Sequence, residues 1–451
     1  MKPATVTDIS RLIDEQPFSR HQLLVAVMCG ALVFMDGFDA QAMGFVAPAL
    51  TAQLGITRLA LGPVISFGLF GMMIGALVGG PLADRFGRKP VLVACSFAFG
   101  VCTLLTATAT TLQELGIFRL LTGLGLGGAM PNAIALTSEY MPRRFRATAV
   151  TTMFAGFSMG AAVGGFVAAA LIRQYGWQSV FIVGGVFPII IGLVALVALP
   201  ESLRFLVVKG GNEQKVAQYL HKIAPNVAVS QNLAVGPDEH SSGGFVVGQL
   251  FMDGRGPITA LLWVMFFMNL LNLYFLNSWL PTVMNDIGIR VETAILITTL
   301  FQIGGAIGAI GLGRIIDRRA SFRILAWTYL TAAISIFLIG QSGATLGLLV
   351  ITVFAAGFGI VGGQTSSNAL AAEFYPTAMR STGLGWALGV GRIGSIIGPT
   401  LGGVLLSSLG GGQTRQIFWF AAVPALVATC AAFFAAYLQS RKGAPRMSAS
   451  G

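Results

Sequence analysis

Charge is what this chain has least of. Aspartate, glutamate, lysine and arginine make up 10% of its 451 residues, against roughly 25% in a soluble domain, which excludes an ordinary water-soluble globule. Histidine is nearly absent. His21 sits at the edge of an apolar run, and His221 and His240 lie in the central polar interval, so no imidazole remains to carry a proton inside a helix bundle. The four cysteines, Cys29, Cys95, Cys102 and Cys430, have neither ligand spacing nor a histidine nearby and read as small packing residues. No nucleophile and base share a motif, so an enzyme, a metal centre and an organic cofactor are all unexpected.

What is present is apolar sequence. Hydrophobic residues make up 55% of the chain, and stretches of the roughly 20 residues needed to cross a bilayer recur twelve times. They run from about 22 to 47, 60 to 82, 90 to 110, 113 to 137, 146 to 171 and 178 to 199, and resume at 258 to 281, 292 to 313, 322 to 341, 345 to 369, 381 to 407 and 416 to 438. This divides the chain into a tail (1–21), a six-span half (22–199), a polar linker (200–257), a second six-span half (258–438) and a second tail (439–451). Residues 1 to 20 mix acids with bases and no small-residue cleavage site follows the first run, so the first span is expected to stay in the chain.

Basic residues in short loops are retained on the cytoplasmic side. With the amino terminus inside, only Arg58, Arg173, Arg290 and Arg415 of the 28 lysines and arginines fall outside, and Arg119 and Arg392 fall within spans. The net charge of +11 is thus a topology signal that puts both termini in the cytoplasm, and it is not a nucleic-acid footprint.

Two acids break the first span, in Phe34-Met35-Asp36-Gly37-Phe38-Asp39. A carboxylate at the centre of a spanning helix costs about 2.5–3.5 kcal/mol on insertion scales, so such acids face a bundle interior and mark a proton or substrate pathway. Two carboxylates this close are expected to titrate as a unit and share a proton.

The chain is also written twice. A shift of about 233 residues lays Gly80, Leu82, Asp84 and Arg85 over Gly313, Ile315, Asp317 and Arg318, and a shift of 234 lays Glu139, Pro142, Arg146, Gly160 and Gly164 over Glu373, Pro376, Arg380, Gly394 and Gly398. Each half has an even number of spans, so the copies run parallel and a site is expected near mid-membrane between them. The shift of 233 also places Asp36 over Asn269, Asp39 over Asn272 and Pro48 over Pro281. Residues three apart on a helix lie nearly on one face, so the amide pair is expected either to hydrogen-bond a substrate from the opposite wall or to join helices by packing.

Between spans 2 and 3 stands Gly80-Pro81-Leu82-Ala83-Asp84-Arg85-Phe86-Gly87-Arg88-Lys89, and span 4 opens Arg119-Leu120-Leu121-Thr122-Gly123-Leu124-Gly125-Leu126-Gly127-Gly128. The first closely resembles the loop signature of major facilitator transporters and the second their proton-coupling motif in helix 4. With Asp36-Gly37-Phe38-Asp39, Ala47-Pro48-Ala49-Leu50, Pro200 to Leu206, Ser278-Trp279-Leu280-Pro281 and Gly389-Val390-Gly391-Arg392, the whole chain resembles the aromatic acid:proton symporters, the group containing bacterial 4-hydroxybenzoate, protocatechuate and benzoate carriers.

That resemblance implies an all-α integral membrane protein of twelve transmembrane helices, two six-helix bundles related by a parallel pseudo-two-fold repeat, in the bacterial inner membrane. It implies uptake of a small aromatic acid with protons, driven by the proton gradient without a cofactor, by a monomer in the lipid bilayer. The helix 1 acids and membrane arginines of such carriers are needed for transport, a role that falls here on Asp36, Asp39, Arg119 and Arg392. Gly80, Asp84, Arg85, Gly87, Arg88 and Lys89 are implied to gate the cytoplasmic side against the start of helix 11, with Asp317 and Arg318 as a degraded second copy.

The residues keep alternatives open. At matching depth, Asp39 and Arg119 are expected to pair, for coupling or for structure alone. Arg392 lies close to mid-depth with no acid of the second half at its level, so it is expected either to grip a cargo carboxylate or to pair with Asp36. Phe38 and Phe45, with Phe301, Tyr274 and Trp386, are candidate walls for an aromatic ring. Gln302 and Gln364 are candidates for a ring hydroxyl or for interhelical bonds. Other classes stay in view: a sugar or polyol symporter, a drug:proton antiporter, for which Gly398-Pro399-Thr400-Leu401-Gly402-Gly403 speaks, or a sensor of aromatic acids.

Overall fold

The computed structural model describes residues 7–210, 213–223, 233–234, 247–318, 321–343, 345–376, 379–409 and 414–441. Both chain ends and the middle of the linker lie outside these. Among the described residues, twelve helices are long and apolar enough to cross a membrane. They are α1 (Arg20–Leu54), α2 (Arg58–Phe86), α3 (Arg88–Ala107), α4 (Leu112–Tyr140), α5 (Arg143–Tyr175), α6 (Gln178–Ala198), α7 (Gly256–Asp286), α8 (Val291–Arg318), α9 (Phe322–Gln341), α10 (Leu346–Phe374), α11 (Arg380–Leu409) and α12 (Thr414–Arg441).

Several helices outrun the apolar windows because polar caps carry them past the hydrocarbon. Ser19 opens α1 in a capping box with Gln22, and Thr111 opens α4 in one with Glu114, which satisfies amide groups that have no partner within the helix. The first span continues through Pro48 to Leu54, since neighbouring helices can compensate the lost amide bond of a proline. One residue, Gly87 at φ 102°, separates α2 from α3, a turn that only glycine makes without strain.

Contacts follow the repeat. Helix α2 packs on α4 as α8 packs on α10, and α1 on α5 as α7 on α11. The bundles meet through α1 with α7, α2 with α11 and α5 with α8, a set that exchanging the halves leaves unchanged. The linker helices Leu203–Lys209 and Glu213–Ile223 belong to the first bundle: Leu206, Val216 and Leu220 are buried in one cluster with Val25, Leu92 and Tyr140. A two-residue parallel pairing of Thr7–Asp8 with Leu233–Ala234 ties the start of the chain to the linker.

Candidate functional site

The acids of α1 turn inward. Asp39 is 8% and Arg119 3% exposed, and Arg119 Nη1 donates to both Asp39 oxygens at 2.9 and 3.1 Å. Its Nη2 donates to Thr106 Oγ1 at 3.0 Å and Thr122 Oγ1 at 3.2 Å, and the guanidinium lies 4.9 Å from the Phe181 ring centre. One nitrogen therefore grips the carboxylate while the other is held by hydroxyls, so Arg119 keeps its place if Asp39 loses its charge. Thr122 was legible as the residue three after Arg119 in its motif. Thr106 and Phe181 come from other helices, and no local pattern marks them.

Asp36 is buried at 3% exposure, and among the described residues neither carboxylate oxygen has a hydrogen-bond partner. Leu32, Phe99, Leu126 and Ala133 line a cavity of about 10 Å³ beside it, near the minimum that holds one water. The charges that act on Asp36 are Arg392 of α11 and Asp39. Arg392 also faces the Tyr274 hydroxyl of α7. Acid, cation and phenol from three helices thus lie within electrostatic reach of one another, and no described salt bridge ties Arg392 down.

The amide pair of α7 behaves differently. Asn269 Nδ2 donates to Gln364 Oε1 at 2.8 Å and to the Ile360 carbonyl at 3.1 Å, and Gln364 Nε2 donates to Asn368 Oδ1 at 3.2 Å. Asn272 is fully buried, with no partner for its amide among the described residues. Gln302 Nε2 donates to Asn277 Oδ1 at 3.1 Å. Asn269 and Gln364 therefore join helices of one bundle, as do Gln302 and Asn277. Phe38 packs against Gly164 and Gly184, and Phe45 against Gly165, so both rings fill helix contacts here. Phe301 is fully buried against Gly357, and Trp386 stacks on Trp263 at 6.0 Å. Tyr274 is the aromatic candidate that stands beside Arg392.

The loop signature divides in two. Asp84 and Arg85 are exposed, Asp84 has no hydrogen bond among the described residues, and Arg85 lies over its neighbour Phe86. Among the described residues, nothing lies within 4 Å of where a Cβ would stand on Gly80 of α2 or on Gly385 and Gly389 of α11. Gly87, Arg88 and Lys89 instead bind within their own bundle. Gly87 abuts the Glu201 carboxylate, the Arg88 and Lys89 backbone amides donate to Glu201 Oε1 at 2.8 and 3.1 Å, and Arg88 pairs with Glu139 at 2.5 Å. A carboxylate at the start of α3 is favoured by the helix dipole. Asp317 and Arg318 close α8, and their side chains lie outside the described residues.

At the opposite end the bundles touch. Arg58 of α2 pairs with Asp286 of α7 at 2.5 Å. Ser66 of α2 donates to the Ile396 carbonyl of α11 at 2.6 Å and shares a 2.8 Å bond with Thr400. Gly44 of α1 packs directly on the Asn277 backbone of α7. The described hydrogen bonds and ion pair that join the bundles lie at this end, whereas among the described residues Gly80 and Gly389, at the end that carries the loop signature, face open space.

Comparison with known proteins agrees with this architecture. The family model for the Major Facilitator Superfamily matches residues 29–251 and 262–450. The 4-hydroxybenzoate transporter PcaK of Pseudomonas putida is 44% identical over 423 residues, 94% of each chain, and a gallate transporter of the same organism is 42% identical over 94% of each chain. Among solved structures, a bacterial homologue of the human lysosomal transporter Spinster, inward-facing and unoccupied, superposes with a TM-score of 0.75 at 15% identity, covering 94% of this chain and 99% of its own.

Proposed function

This chain belongs to the Major Facilitator Superfamily, and on that premise we propose that it carries an aromatic carboxylate of the 4-hydroxybenzoate class inward with protons, by alternating access. It is a transporter and not an enzyme. Relatives named for 4-hydroxybenzoate and gallate, both hydroxylated benzoates, match nearly its full length and support the cargo class. The observation that carries the coupling is the buried cluster: Asp39 held by Arg119, and Asp36 near Arg392 with no hydrogen-bond partner among the described residues.

The proposed cycle rests on charge balance. In the empty carrier the ionised Asp36 offsets Arg392. A cargo carboxylate that takes Arg392, with the Tyr274 ring alongside, would leave Asp36 facing a second anion in a site of low dielectric, so a proton must accompany it. Asp39, one turn away, shares that proton, and its neutralisation frees the carboxyl group from Arg119, which Thr106 and Thr122 keep in place. The loaded, neutralised carrier can then exchange the closed end for the open one, because a ligand shifts such an equilibrium only by its differential affinity for the two states. With the basic end cytoplasmic, the state described here is inward-open, both termini are cytoplasmic, and 22–199 and 258–438 are the bodies that rock. The site is complete within one chain, which supports a monomeric unit in the bacterial inner membrane, driven by the proton gradient without a cofactor.

Counter-flow in proteoliposomes tests this, with benzoate, hydroxybenzoates, protocatechuate, vanillate, gentisate and phenylpropionates, with and without an imposed pH gradient. Hydroxybenzoates should exchange, and an inward proton gradient should drive accumulation. Exchange unaffected by any of the aromatic acids would overturn the cargo, and accumulation insensitive to the gradient would overturn the coupling.

A further inference from the structure

A large groove lies away from the transport path. It encloses about 940 Å³, is walled almost wholly by apolar side chains, and is formed by α1 as floor between α5 and α6. Val27 and Phe34 of α1, Phe145, Thr152 and Met159 of α5 and Phe187 of α6 line it. At 3.6 residues per turn, Val27 stands about 180° and Phe34 about 160° around α1 from Asp36. The groove therefore opens on the membrane side of the bundle, with α1 between it and the acid cluster.

It is long enough to take the acyl chain of one leaflet. From Phe145 to Met159 it runs about 21 Å at the helical rise, starting at the interface and passing the midplane of a hydrocarbon core about 30 Å thick. Its mouth is basic. Phe145 meets Phe18 edge to face at 5.9 Å, the Arg144 guanidinium lies 5.1 Å over the Phe145 ring, and Arg144 Nη2 donates to the Gln16 carbonyl at 3.0 Å. Arg143 and Arg144 open α5 directly before Phe145, and Asp14 is paired with Arg143 at 3.5 Å. Asp14 thus answers Arg143, while Arg144 is anchored at the rim by neutral partners, the Gln16 carbonyl and the Phe145 ring.

We infer that this groove is a binding site for an anionic glycerophospholipid, one acyl chain lying along α1 and the phosphate resting on Arg144. The occupant is a lipid of the leaflet at the basic end, because the walls offer a hydrocarbon chain contact along their whole length and the mouth offers a cation at headgroup depth. A filled groove braces α1, the helix that carries Asp36 and Asp39, from the face opposite to the cargo.

Native mass spectrometry of the full-length protein, released into detergent with phosphatidylglycerol or phosphatidylcholine, tests the assignment. Wild type should retain one lipid, with phosphatidylglycerol favoured about fivefold, the worth of one basic residue near a membrane surface. Arg144→Gln should keep a lipid but bring the two headgroups to parity. Thr152→Phe, which fills the groove from an exposed position, should lose the retained lipid while its circular dichroism melting curve stays that of a folded protein, and Ala149→Leu serves if that variant does not fold. Equal retention of both lipids by wild type, or full retention by the groove-filled variants, would overturn the proposal.

Discussion

The α1/α4 pair of the first bundle and the α7/α10 pair of the second occupy equivalent places in the repeat, yet they use opposite chemistry. In the first, Asp39 meets Arg119 in a buried ion pair and Asp36 stands beside it. In the second, Asn269 and Gln364 join the helices as neutral amides, and Thr352, which the repeat lays near Arg119, bonds only the carbonyls of its own helix. The backbone geometry was duplicated while the buried carboxylates were kept on one side. A carrier that changes its protonation state needs one half that titrates and one half that holds its shape throughout, because a buried charge without a partner destabilises whichever state contains it.

The sharpest way to break this comparison is Asp39→Asn. It should abolish gradient-driven accumulation and lower stability by about 3–5 kcal/mol, since Arg119 is left buried without a counter-charge; normal accumulation in transport assays would refute the coupling role. Asp39→Asn combined with Arg119→Gln makes the first half resemble the second, and it should recover most of the lost thermal stability without recovering accumulation. Recovery of both would mean that the pair is only structural.

Arg392→Lys keeps the charge but loses the planar fork that suits a carboxylate. It should raise KM for 4-hydroxybenzoate counter-flow by roughly tenfold, the equivalent of one charged hydrogen bond of about 1.5 kcal/mol. Asn269→Asp carries acid chemistry into the second half, where it faces the Gln364 and Ile360 oxygens. Two acceptors then oppose a third, and melting curves should show a loss of about 1–3 kcal/mol. The smallest effect belongs to Arg58→Gln, which removes the ion pair that joins the bundles. A partly exposed pair is worth about 0–1 kcal/mol, so labelling of a Gly80→Cys reporter at the opposite end should slow by no more than about fivefold.

The sequence made the fold readable because spans and repeat are local: apolar length, and matched residues 233 positions apart. The Asp39–Arg119 pair was readable too, from depth alone. The fates of Phe38, Phe45 and Asn269 were not. Each lies on the right helix at a reasonable depth, but helix rotation turns the two rings into glycine contacts and the amide into its own bundle. Nor does the motif Gly80 to Lys89 reveal that it divides, with Asp84 and Arg85 exposed and Arg88 and Lys89 bound to Glu139 and Glu201.

By itself, then, the sequence determined how many times the chain crosses, that it does so in two parallel copies, and that acids and arginines are buried where lipid would not tolerate them. Hydropathy and charge act residue by residue along the chain, so these follow without a partner being named. Only the tertiary structure decided which residue faces Arg392, at which end the bundles are joined, and that α1 presents acids to one side and an apolar groove to the other. Those depend on the rotation and tilt of helices against one another, set by close packing among residues far apart in sequence.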